Sequence, residues 1–190
     1  MALHLVRHTR PAVNPDLCYG RLDVELASTW HFDLKSTLRG VPMARQVYSS
    51  PSLRCRVLAD ALGARDGVGV KIDERLLELD FGAWEGRAWS DIPRAEIDAW
   101  NRNLLTAAPG GGESLAALWT RVKAFLAELA PAEEPAIIVT HHGPIRAIAA
   151  QFDGRGPDTL FDRVYPCGSV TRLAAGFEAS TQVPPSASST

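Results

Sequence analysis

Cysteine is sparse in this 190-residue chain. Cys18, Cys55 and Cys167 lie far apart and form no C-x-x-C pair. An odd count without metal-ligand spacing argues against a disulfide framework and a zinc site, and it fits a reducing compartment. Long apolar runs are missing too, since none approaches the roughly 18 residues of a membrane span. The apolar run before Arg7, His8 and Arg10 is too short for the hydrophobic region of a signal peptide. A cytoplasmic protein without membrane contact is therefore expected. Excess charge of one sign is also absent: 20 Lys and Arg stand against 22 Asp and Glu, for a formal net charge of −2. No global field draws the chain to nucleic acid, so a bound anion needs a local cluster of cations. No internal repeat is visible.

What is present suits one globular domain, with 46% hydrophobic and 22% charged residues. The domain is expected over residues 1–177. The tail 178–190, with Pro184-Pro185 and four serines, is expected to lack structure. Leu3 to Val6 reads as a short buried strand that stops at Arg7. Asn14, Pro15, Asp16 and Gly20 mark a loop. A weak helix over 28–39 and a strand over 45–48 follow. Ser49-Ser50-Pro51 then reads as a helix start, with Ser50 as N-cap and Pro51 in the first turn.

Further strands are expected over 68–72, 136–140 and 170–173, and further helices over 93–103, 114–130 and 144–151. The run Ala136-Ile137-Ile138-Val139-Thr140 is apolar throughout, as in a parallel strand buried on both faces. This alternation implies an α/β fold of three layers: a mostly parallel central sheet, helices on both faces, and a small cap region around residues 76–112. Ligands of such sheets bind beyond the carboxyl ends of the strands. Arg7-His8 and His141-His142 both fall there.

A phosphoryl group carries about two negative charges near neutral pH. A guanidinium clamps its oxygens, and a neutral imidazole nitrogen can attack its phosphorus. Arg7-His8 alone favours the plainer reading, a strand-end histidine with a solvated arginine beside it. Three further segments give it context. Arg54 follows Ser49-Ser50-Pro51, Glu78 opens Glu78-Leu79-Asp80-Phe81-Gly82, and His141 stands in Val139-Thr140-His141-His142-Gly143-Pro144-Ile145-Arg146. In this order and spacing, over roughly residues 3 to 173, the chain resembles the histidine phosphatase superfamily, the phosphoglycerate-mutase-like group.

The resemblance implies that His8 is the nucleophile that becomes phosphohistidine. Arg7, Arg54 and His141 surround the phosphoryl oxygens, and Glu78 is the acid/base carboxylate. Asn14 falls where many members place a phosphate-holding amide. Guanidinium groups beside His8 would keep its imidazole neutral. A protonated His141 would donate to an equatorial oxygen. Glu78 would protonate the leaving alkoxide and then activate water. The loop Cys18-Tyr19-Gly20-Arg21 faces the expected mouth, so Gly20 and Arg21 are substrate-contact candidates, although Arg21 reads equally as a surface charge. Trp84, Trp89 and Trp100 could stack on a substrate ring or simply pack the cap.

The chain departs from the family pattern beside the nucleophile. Arg-His-Gly and an acidic residue are usual there, and Arg7-His8-Thr9-Arg10-Pro11 stands instead. Thr9 needs a backbone that a β-branched residue can adopt. Arg10 either touches the substrate or is a solvated charge. His142 replaces a common glycine, and only His141 of the pair is expected to face phosphate. The resemblance implies a metal-independent, cofactor-free phosphomonoesterase acting on a small phosphorylated metabolite, as a monomer or homodimer. Its nearest likeness is to the α-ribazole phosphatase branch, which acts on a 5′-phosphate in cobalamin biosynthesis. A broad-specificity phosphatase, a mutase-like phosphotransferase and a non-catalytic phosphate-binding regulator are the alternatives.

Overall fold

Apolar residues alternate with a period of two in the central strands, and each parity serves a different face. The computed structural model describes residues 2–129, 135–174 and 177–182. Its strands are β1 (Ala2–Arg7), β2 (Gln46–Ser49), β3 (Val70–Ile72), β4 (Ala136–Thr140), β5 (Val170–Ala174) and β6 (Phe177–Gln182). Its α-helices are α1 (Trp30–Gly40), α2 (Leu53–Asp66), α3 (Arg94–Arg102), α4 (Leu115–Glu128) and α5 (His142–Phe152). The strands form one sheet in the order β3-β2-β4-β1-β5-β6. The first four run parallel, and β5 and β6 are antiparallel additions.

Leu3, Leu5 and Ile138 pack with Leu118, Val122 and Phe125 of α4 and Ile145 and Ile148 of α5 on one face. Val6, Ile137 and Val139 pack with Leu58, Ala59 and Leu62 of α2 on the other, with Leu34 and Leu38 of α1 beside them. All five residues of β4 are buried, as its apolar run requires. The expected three-layer, mostly parallel architecture is the observed one.

Residues 76–112 hold α3 and a series of three-residue 3-10 turns over a small separate cluster of Cys18, Trp84 and Ile92. Among the described residues, no helix is long and apolar enough to cross a membrane.

Three boundaries differ from expectation. Helix α2 starts at Leu53 with Ser52 as N-cap, not Ser50. Ser50 is instead hydrogen-bonded to His141, with Oγ 2.8 Å from Nε2. Helix α5 starts at His142, two residues before Pro144. Strand β6 extends the sheet through residues 178–182, which composition had assigned to the tail. Backbone pairing at a sheet edge needs only N–H and C=O groups, which composition does not register. Residues 183–190 lie outside the described residues.

Candidate active site

Where β1 ends, the chain stays paired on both sides. The Arg7 N–H donates to Ser169 O at 3.1 Å, and the His8 N–H to Thr140 O at 3.0 Å. Both side chains are thus carried on a backbone held between β4 and β5, and both line a cavity of about 320 Å³. His8 is almost completely buried. Its Nδ1 lies 2.7 Å from the carbonyl oxygen of Thr9. That oxygen can only accept, so the proton sits on Nδ1 and the lone pair on Nε2. Burial pushes the His8 pKa well below the ordinary histidine value, and Arg7 and Arg54 push it further. The imidazole is neutral at pH 7.

Arg54 is fully buried in the first turn of α2. A buried cation is costly unless its donors are satisfied. Nη2 donates to Gly20 O at 2.6 Å and Nη1 to Leu22 O at 3.0 Å, while Nε donates to His141 Nδ1 at 3.3 Å. Arg7 Nη1 donates to Tyr165 O at 2.5 Å, and its buried Nε has no partner among the described residues. The Glu78 carboxylate accepts from Gly143 N at 3.0 Å and Leu79 N at 2.9 Å. A Cβ at position 143 would collide with that carboxylate, which accounts for the glycine. Arg121 fastens the same segment from below, donating to Glu78 O at 3.0 Å and pairing with Glu113.

The two adjacent histidines diverge, as alternation implies, but their surroundings are not the expected ones. His141 is wholly buried, with its ring 5.1 Å from that of His8. Its Nδ1 accepts from Arg54, which leaves the proton on Nε2 facing Ser50. Burial first, then Arg54, holds its pKa well below the ordinary value. His141 is therefore neutral where it lies behind the cavity wall, not a protonated donor. His142 lines the cavity wall. Its Nε2 accepts from Tyr165 N at 3.2 Å, and burial lowers its pKa to about 3.

Thr9 is buried, and no residue other than glycine has a positive φ among the described residues. The backbone there suits a β-branched side chain, and Thr9 Oγ1 donates to Arg54 O at 3.5 Å.

The cavity brings together Arg7, His8, Arg54 and Glu78, with His141 directly behind them. Four other candidates are not among its lining residues. Asn14 is exposed and accepts from Asp16 N, which closes its own turn. Arg10 is 61% exposed and pairs with Asp33 at 3.5 Å. Arg21 pairs with Glu113 at 3.3 Å and Asp80 at 3.7 Å. Gly20 lies against Leu79 O, where no Cβ would fit, and its carbonyl holds Arg54. In each case a protein partner takes the group that substrate contact would have used. Trp89 and Trp100 line the cavity, whereas Trp84 is buried with its Nε1 donating to Glu96.

Residues 3–181 match the family described as histidine phosphatase superfamily, branch 1. The chain belongs to that superfamily. It is a small-molecule phosphatase, as its relatives are. Phosphoserine phosphatase 1 of Hydrogenobacter thermophilus is 30% identical over 156 residues, which span 77% of this chain and 73% of that one. The structure of mycobacterial glucosyl-3-phosphoglycerate phosphatase superposes with a TM-score of 0.78 at 28% identity, covering 90% of this chain and 88% of the other. The α-ribazole phosphatase of Shigella flexneri has a TM-score of 0.85 at 24% identity over 97% and 96% of the two chains, a likeness of fold.

Two wall residues of this histidine phosphatase were not among the sequence candidates. One is His142. The other is Arg146, a full turn further along α5. Starting that helix at Pro144 hid their i,i+4 relation, which is the signal that finds them. No cluster of three or more His, Cys, Asp or Glu able to hold a metal ion occurs among the described residues.

Proposed function

We propose that the protein hydrolyses a small phosphomonoester through a phosphohistidine on His8. One observation carries this: a neutral His8, its Nδ1 proton committed to Thr9, lies in one cavity with two guanidinium groups and the Glu78 carboxylate. In the first step Nε2 attacks phosphorus and the bond to the leaving oxygen breaks. Glu78, as the carboxylic acid, gives its proton to that oxygen. In the second step ionised Glu78 takes a proton from water, whose oxygen attacks the phosphohistidine. The P–N bond breaks, and inorganic phosphate leaves with His8 neutral again. Arg7 and Arg54 neutralise the phosphoryl charge throughout. Burial first, and then the guanidinium charges, hold His8 and His141 neutral; a dianion between Arg7 and Arg54 offsets the second of these, so His141 gains donor character when substrate is bound.

The reaction needs no metal and no cofactor, so turnover is expected to persist in EDTA. Rapid acid-free quenching with a labelled aryl phosphate is expected to trap acid-labile phosphate on protein, and His8→Ala to abolish both label and turnover. Turnover by His8→Ala at the parent rate would sink the mechanism.

A substrate with an aromatic leaving group, such as α-ribazole 5′-phosphate, is a second reading. It is supported by Tyr19, Trp89 and Trp100 on the cavity wall. A panel of sugar, nucleotide and nucleoside-like phosphates tests it, and a flat profile removes it.

A further inference from the structure

Helix α5 begins with a side chain that the family pattern does not supply. His142 stands where glycine is common, on the wall of the cavity that Arg7 and His8 also line. Its Nε2 accepts from the Tyr165 N–H at 3.2 Å. The carbonyl oxygen of the same tyrosine accepts from Arg7 Nη1 at 2.5 Å. One residue thus joins His142 to the guanidinium beside the nucleophile.

Each link of that chain is confined. Tyr165 is 1% exposed, so its N–H depends on a protein acceptor. Pro166 follows it and restricts Tyr165 to extended backbone, so holding the N–H also fixes the direction of the carbonyl. The imidazole packs edge-on against the Tyr165 ring, with centroids 6.1 Å apart and planes at 81°. Burial, then Arg7 and Arg146, lower the His142 pKa to about 3, and a hydrogen bond to the Arg163 backbone opposes them. The ring is neutral at pH 7, with its lone pair on Nε2 and its proton on Nδ1. On the Arg7 side, the N–H to Ser169 O bond holds the backbone and not the fork. The buried Arg7 Nε has no partner among the described residues, so the bond from Nη1 to Tyr165 sets where the fork points.

We propose that His142 is a positioning residue for Arg7: by accepting from the Tyr165 N–H it aims the Tyr165 carbonyl, and through it the Arg7 guanidinium, at the phosphoryl group. The ring has no nitrogen to spare for substrate, because Tyr165 takes Nε2 and the Arg163 backbone takes the other. It acts through the backbone of residues 163–165 and not on the reacting atoms. A glycine at 142 would leave the Tyr165 N–H without this acceptor, and the carbonyl that holds Arg7 would be free to turn. The inference rests on the phosphohistidine reading only in taking Arg7 as a phosphoryl ligand.

Inorganic phosphate is the probe, and its dissociation constant, followed by phosphorus NMR, needs no turnover. His142→Ala is expected to weaken phosphate binding by about 5- to 30-fold. His142→Gln, whose side-chain oxygen can take the place of Nε2 as acceptor, should bind within about 3-fold of the parent. The deciding comparison is made in an Arg7→Ala background, where His142→Ala should change the dissociation constant by less than about 2-fold. An equal loss with and without Arg7 would overturn the proposal, because His142 would then act on the fold of the site as a whole. No loss in His142→Ala, or a His142→Gln variant as weak as His142→Ala, would overturn it too. A measurement on the parent protein stands even if His142→Ala does not fold. Proton–nitrogen NMR correlation at pH 7 is expected to show His142 protonated on Nδ1, and a proton on Nε2 would overturn the proposal, since that nitrogen could not accept from Tyr165. Failure of the His8 mechanism shows separately, as turnover without acid-labile phosphate on the protein.

Discussion

Two parts of the cavity wall are built differently. At the end proposed to hold the phosphoryl group, Arg7 and His8 leave β1 between two paired strands, and Arg54 has carbonyl partners from Gly20 and Leu22. His141 lies behind them, engaged on both ring nitrogens. On another part of the wall, Trp89 and Trp100 come from a short turn and from α3, none of whose residues is buried. Phe81 meets both rings edge-on, at centroid distances of 5.5 and 6.1 Å. The residues proposed for the chemistry sit at the strand ends, and the aromatic residues proposed for apolar recognition sit on the cap. Backbone hydrogen bonds tolerate little displacement, whereas aromatic edges tolerate more.

That contrast can be broken most sharply at Glu78. Glu78→Gln keeps the bonds from Gly143 and Leu79 but cannot exchange a proton, so kcat should fall by about 10²- to 10⁴-fold with KM little changed. Steady-state kinetics on an aryl phosphate measures it, and a loss confined to KM would mean that Glu78 only binds.

Next in size is acid stability. The pKa values of His8, His141 and His142 are all lowered in the folded protein. Below the unfolded-state value of about 6.5, the unfolded chain binds protons that the folded one refuses. Stability is therefore full above pH 6.5 and declines as the pH falls toward the folded values, by up to about 1.4 kcal/mol per pH unit for each imidazole. Urea midpoints at pH 7.5 and 5.5 would show the decline, and equal midpoints would mean that the phosphoryl end is not held neutral.

The smallest effect belongs to the cap. Trp100→Leu should raise KM about 3- to 10-fold and leave kcat within a factor of two, because it removes apolar contact that does not change in the transition state. A comparable drop in kcat would show that the cap also positions the reacting groups.

Much of the phosphoryl end was legible in the residues. Arg7-His8, Arg54 and His141 each adjoin a strand end, and Ala136–Thr140 is continuous enough to place its strand without ambiguity. The polar loop candidates were less legible. Asn14, Arg10 and Arg21 have the chemistry of phosphate ligands, but Asp16, Asp33 and Glu113 take up their polar groups. Sequence shows which groups a residue carries and not which neighbour satisfies them. His142 and Arg146 were missed for a related reason, since a shift of two residues in a helix start turns a different face to the cavity.

By itself the sequence determined the parity of the strands, the order of the elements and which histidine lies where β1 ends. These follow from local periodicity and from residue chemistry. Only the tertiary structure decided that His141 is enclosed and neutral, and that Ser50 contacts it instead of capping α2. It also decided that Arg146 lines the cavity, with its Nε donating to Arg163 O. Burial, tautomer and ion pairing depend on groups distant in the chain. The His8 tautomer is set by its neighbour Thr9, and there the sequence came nearest to the site.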